Sequence, residues 1–254
     1  GEAGAQVDPD VAEHYYQRAL QNDMQAYEPD RMARLAARIE ELRAPPPVAP
    51  PQSTLDAMAG LDQDALDRFT EVYQYTYRLC AEGDMAAWDQ LNALAEDQGR
   101  GEAWFEISLI LRGNQACDAI DADPLAGVLA LRNSAEAGWP MGEYTFGFLT
   151  FYAEPSDYLP HDFDIGVEYL ARASDQGLGL ADLILAEIVA GSARGAVFDI
   201  AVLEKYHDQA LARGMTTHYP ERMDQLARII MNHYIYDAPQ DGPLELVDLE
   251  SLSN

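Results

Sequence analysis

Four glycines constrain this chain more than any other feature. Gly99, Gly138, Gly177 and Gly214 stand 39, 39 and 37 residues apart, and each closes a similar run: LAEDQG, SAEAG, ASDQG and ALARG. Self-similarity at such a period marks a repeat architecture, in which one unit cannot bury its apolar face alone and neighbours must stack. The flanking residues keep step. Four positions after the first three glycines stand Ala103, Gly142 and Ala181, and nine positions after stand Ser108, Gly147 and Ala186. Bulky residues fill plus eight (Ile107, Phe146, Leu185) and plus twelve (Leu111, Thr150, Val189), with Thr150 the misfit. Small residues at fixed positions let helices lie close, and a larger side chain there costs roughly 1–3 kcal/mol in overpacking. Glycine at a helix end supplies a left-handed cap. No run of period two survives beside this pattern. The expectation is an all-α solenoid of antiparallel helix pairs.

The solenoid should span residues 54–236, with other material on either side. Residues 1–43 read as a helical hairpin: Asp8, Pro9 and Asp10 form a good helix start, and Pro29 breaks the run. Met32, Leu35, Ile39 and Leu42 then share one helical face. Residues 44–53, APPPVAPPQS, hold five prolines between Pro45 and Pro51 and predict a stiff, extended strap. Residues 237–254 predict an acidic, extended tail.

Charge narrows the partners. Sixteen basic residues face 44 acidic ones, a formal net charge of −28, which repels phosphate backbones and anionic lipid. The partner classes disfavoured are therefore nucleic acid and anionic membrane surface, and no apolar run is long enough for a membrane span. The polar opening GEAGAQVDPD reads as a segment following a cleaved leader, which gives a periplasmic or secreted location as the expectation.

Units just under forty residues, closed by glycine and carrying small residues at plus four and plus nine, resemble Sel-like repeats. These are relatives of the tetratricopeptide repeat with a longer loop between the paired helices. The family's second helix carries a small–x–x–aromatic–x–x–x–Ala pattern, matched well by Gly166, Tyr169 and Ala173 and loosely by Gly127, Ala130 and Ser134. Leu203, Tyr206 and Ala210 are intermediate. The resemblance covers about residues 84 to 215. It implies a non-catalytic adaptor or scaffold that holds a protein or peptide against the first helix of each unit. By analogy the partner-facing positions fall three, six, ten and thirteen after the glycine. These are Glu102, Phe105, Leu109 and Arg112; then Met141, Thr145 (one residue past plus six), Phe148 and Phe151; then Leu180, Leu183, Glu187 and Ala190. The trough so drawn is apolar and aromatic, with an acidic rim suited to basic partners.

Residues able to carry chemistry are sparse. Cys80 and Cys117 lie 37 apart, close to one period, and are either a disulfide in an exported protein or two ordinary buried thiols. Cysteine-rich members of the family staple each helix pair. This chain lacks that regular pairing, so no ligand activity is carried over from them. The five histidines form no zinc spacing, and HDFD at 161–164 reads as a helix cap built on Asp162 or Asp164. No phosphate loop, G-x-S-x-G or dinucleotide fingerprint occurs, so no cofactor is implied. The alternative is a hydrolase of cell-wall material or a small-ligand binder, for which a deep pocket with converging carboxylates would speak. A third reading makes the N-terminal hairpin or the acidic tail an internal lid on the trough.

Overall fold

A computed structural model describes residues 9–22, 24, 28–43, 47–152, 159, 161–191 and 198–236. The acidic tail, Tyr158 and Pro45–Pro46 of the strap lie outside them. The chain divides into two compact units, Gly1–Val48 and Ala49–Asn254. In the first, α1 (Pro9–Gln21) and α2 (Pro29–Arg43) pack on each other, α2 starting at the proline that breaks the sequence pattern. The described end of the strap is extended: Pro51 has φ −54° and ψ 143°, and it leads into α3 (Gln52–Ala57).

The second unit is an all-α solenoid, and no strand occurs among the described residues. Its helix pairs are α4 (Gln63–Glu82) with α5 (Met85–Glu96), α6 (Gly101–Leu111) with α7 (Pro124–Glu136), and α8 (Pro140–Tyr152) with α9 (Phe163–Asp175). Then come α10 (Gly179–Ala190) with α11 (Ile200–Ala212), the short α12 (Met215–His218), and α13 (Pro220–Tyr236). Each helix packs chiefly on its neighbours in the chain, and first helices also touch first helices of adjacent units, as α4 touches α6.

The four marker glycines share one role. Gly99, Gly138, Gly177 and Gly214 have φ of 65°, 78°, 99° and 81°, ending the second helix of each pair. Around three of them the chain closes in a Schellman-like manner, with amides of Arg100, Trp139 and Leu178 donating to carbonyls of Leu94, Ser134 and Ala173. The small columns do what their size predicts. A Cβ on Gly142 would stand 2.2 Å from Ser134 Oγ on the preceding helix, and one on Gly147 would stand 2.8 Å from the Gly166 carbonyl oxygen on its own partner helix.

A second column keeps the same register. Asp84, Asp123, Asp162 and Asp199 each lie 15 residues before a marker glycine. Each is the N-cap of a second helix and accepts an amide from the first turn, at 3.0 Å for Ala86, Ala126 and Ile165 and 2.9 Å for Ala201. The HDFD motif is thereby settled as a cap on Asp162. Cys80, near the end of α4, and Cys117, in the loop after α6, form a disulfide.

Candidate functional site

The twelve trough positions separate by depth. In the first half of each unit's first helix most are core: Phe105, Met141, Leu180 and Leu183 are 4, 7, 6 and 0% exposed and share one apolar cluster with Met58, Leu61 and Phe69. Phe151, 2% exposed, faces its own partner helix, its ring edge-on to Phe163 at 5.3 Å. A partner on this face does not reach those five side chains, which corrects their assignment as contact residues. For the first four the physical reason is that residues 58–69 already pack on the N-terminal halves of α6, α8 and α10, whereas Phe151 is covered by α9. Leu109, Arg112, Thr145, Phe148, Glu187 and Ala190 remain half-buried.

Glu102, also buried, belongs to a ladder of ion pairs along this seam. Arg68 Nε reaches Glu102 at 2.8 Å, while Arg100 holds Glu71 at 2.8 Å and donates to the Arg68 carbonyl at 2.9 Å. One unit on, Glu143 receives Arg172 and Gln176, both at 2.6 Å. In the next, Asp182 receives Ser174 at 2.6 Å and Arg213. Glu143 and Asp182 both sit five residues after a marker glycine, and Gln176 and Arg213 both sit one before the next. Burial pushes both carboxyls up from their usual range, and the paired cations oppose it. These acids also lie in the first turns of α8 and α10, where the helix dipole favours negative charge. Beside the ladder is an open cleft of about 570 Å³ lined by Arg68, Glu71, Arg100, Glu102, Trp139 and Gln176 among others.

What the trough presents outward is a ledge of aromatic rings. Tyr144 and Phe148 have centroids 6.0 Å apart, and Phe148 and Tyr152 4.7 Å. Tyr152 is 37% exposed and Phe148 half-buried. Across from them Arg222 on α13 forms a two-point pair with Glu187 at 2.6 and 2.7 Å and lies over Tyr219 at 5.3 Å. Burial raises the Tyr144 hydroxyl to about 12, with the Arg222 cation opposing, so this phenol stays a neutral donor. Between α10 and α13 a cavity of about 410 Å³ is lined by Glu187, Ala190, Gly191, Arg222, Gln225, Leu226 and Ile229. Of the two aromatic neighbours of Phe148, Tyr144 stands at plus six after Gly138, the column from which Thr145 is one residue off; Tyr152 and the α13 wall lie outside the glycine-based columns. The dense run EYTFGFLTFY was the available signal for the first. For the second there was none, since α13 follows a shortened unit.

No family model matches the chain, and no curated protein matches it. Among solved structures it matches the crystal structure of a Sel1 repeat protein from Oxalobacter formigenes, with 19% identity and a TM-score of 0.46, over 56% of this chain and 97% of that one. The fold rests on the chain's own register. This is an all-α repeat solenoid. Its glycine turns, aspartate caps and small-residue contacts recur in successive units without reference to any neighbour.

Glu106 is the most perturbed carboxyl described, raised by burial to about 7, with the Thr76 side chain partly opposing. Its Oε2 has no hydrogen-bond partner, and the residue is 2% exposed. A group sealed in this way does not meet a substrate, so its shift bears on stability rather than on chemistry.

Proposed function

We propose that this protein is a non-catalytic interaction scaffold that holds a protein or peptide on the ledge formed by Tyr144, Phe148 and Tyr152. The carrying observation is that row of rings, partly open and set beside the α10–α13 cavity. Aromatic side chains on a rigid helix supply large contact area at little entropic cost. Leu109 and Thr145 extend the surface, and Glu187 with Arg222 forms a polar edge.

The partner proposed is basic. Eight arginines, Arg31, Arg68, Arg78, Arg100, Arg132, Arg172, Arg213 and Arg222, are already in ion pairs within the chain. Each pair neutralises one acid as well, so the formal −28 stays with the unpaired carboxylates, favouring fast encounter with cationic segments. The proposed compartment is the bacterial envelope or beyond, because the Cys80–Cys117 disulfide suits an oxidising setting.

Phe148→Asp tests the assignment. The variant should keep its helical circular dichroism while losing capture of partners that the unaltered chain retains from an envelope extract. Undiminished capture by the folded variant would place the binding face elsewhere.

A further inference from the structure

Residues 56–61 belong to no repeat unit, yet with the start of α4 they run along the row of marker turns against the chain direction. Asp56 Oδ2 lies 3.6 Å from His218 Nδ1, beyond the Gly214 turn. Ala59 and Gly60 meet Gly177 and Gly179. The Phe69 ring stacks on Trp139, just after Gly138, with centroids 6.1 Å apart. Arg68 and Glu71 then reach Glu102 and Arg100, just after Gly99. One segment thus visits all four turns in reverse order.

Its middle is joined backbone to backbone. Gly60 has φ +96°, and a Cβ there would stand 2.3 Å from the Gly177 carbonyl oxygen; a Cβ on Gly177 would stand 2.9 Å from the Gly60 carbonyl oxygen. The Gly179 amide donates to the Ala59 carbonyl at 3.0 Å. This bond has a specific use. Helix α10 has Leu178 at its N-cap position and no side-chain cap, so the Ala59 carbonyl satisfies the amide of its first residue, a neighbour of the first-turn amides that an aspartate serves in the second helices. On either side sit Met58 and Leu61, 1 and 9% exposed, in the cluster that also holds Leu178, Leu180 and Met215.

We propose that residues 56–61 are an intramolecular clasp, a separable segment that caps α10 from outside the repeat and ties the last turns of the row to the first helix. It goes beyond the interaction reading above and does not depend on it. Repeat units are otherwise held by contacts between near neighbours. A link from residue 59 to residue 179 couples units that stacking alone leaves independent. Its attachments are two apolar side chains, the Asp56–His218 contact, one amide hydrogen bond and a glycine fit, a set that can open locally while the stacked helices persist. Opening bares Leu178 and Met215 along the seam.

Amide hydrogen exchange on the full chain, resolved to single residues by NMR, tests this with Met58→Ala and Gly60→Val. The clasp predicts that Gly179 amide protection falls at least ten-fold in Met58→Ala, with the Tyr219 amide following, while amides inside α8 and α9 keep theirs. Gly60→Val should do the same or more. Should Gly60→Val not fold, Met58→Ala decides alone. Unchanged protection at Gly179 overturns the proposal. So does an equal loss at every amide, because the segment would then be an inseparable part of the core.

Discussion

Glu106 offers a quantitative check on the packing of α4 against α6. Its folded carboxyl is raised from 4.5 to about 7 by burial. The folded state therefore holds a proton that the unfolded chain releases between those values, and stability falls as pH rises through that window before levelling off above it. Glu106→Gln removes the titration. At pH 5 the unfolded chain has released most of its proton, and the penalty on the native chain is already about 1 kcal/mol; by pH 8 it approaches about 3 kcal/mol. The stability gap between the two proteins should thus move by about 2–3 kcal/mol in favour of the glutamine variant. Both conditions lie above the isoelectric point near 4.2, where the protein is least soluble. Urea unfolding at each pH, followed by helical circular dichroism, measures the gap, and the other carboxylates cancel because they are common to both chains. In a domain of this size the change corresponds to roughly 5–10 °C in melting temperature. A gap constant to within about 0.5 kcal/mol would refute the burial assigned to Glu106.

Two further outcomes follow from buried groups and covalent ties. Thr150 is 0% exposed and its Oγ1 is buried without a hydrogen-bond partner. Thr150→Val should therefore raise stability by about 1 kcal/mol, read as a higher urea midpoint at unchanged slope. The Cys80–Cys117 disulfide closes a sequence separation of 37, so Cys80→Ala with Cys117→Ala should cost about 4 kcal/mol in the chain-entropy account. Thiol titration of the unfolded, unreduced chain should find no free thiol, and two thiols per chain would contradict the pairing.

The repeat was legible because its causes are local. A left-handed cap requires glycine, and helices in close contact require small side chains, so both requirements are written at fixed positions. The aspartate column is equally regular, yet only its member in HDFD, Asp162, stands out by sequence, because in a chain with 44 acidic residues an aspartate marks no position by itself. The position after each glycine (Arg100, Trp139, Leu178, Met215) is a different case. Its last three members are buried because they face residues 58–69. Contacts across 70 residues or more leave no period in the chain. The trough suffered from the same blindness. Spacing identified which side of α6, α8 and α10 faces inward. It carries no sign that the N-terminal halves are covered, so Phe105 and Leu183, which spacing alone offers as accessible, are core. Even Gly177 and Gly179 have a double origin: one caps a helix and both admit the clasp.

The most direct test of the solenoid is a glycine-to-alanine series at Gly99, Gly138, Gly177 and Gly214, with unfolding free energy as the readout. All four have positive φ, and around Gly99, Gly138 and Gly214 an added Cβ meets nothing within 4 Å. Those three variants should each lose about 1–2 kcal/mol, the cost of a left-handed alanine. Gly177→Ala should lose clearly more, because the Gly60 carbonyl occupies the space. Three matched losses and one larger would bear out four equivalent turns in one row. No loss at these positions, or unrelated losses among the three open ones, would contradict it.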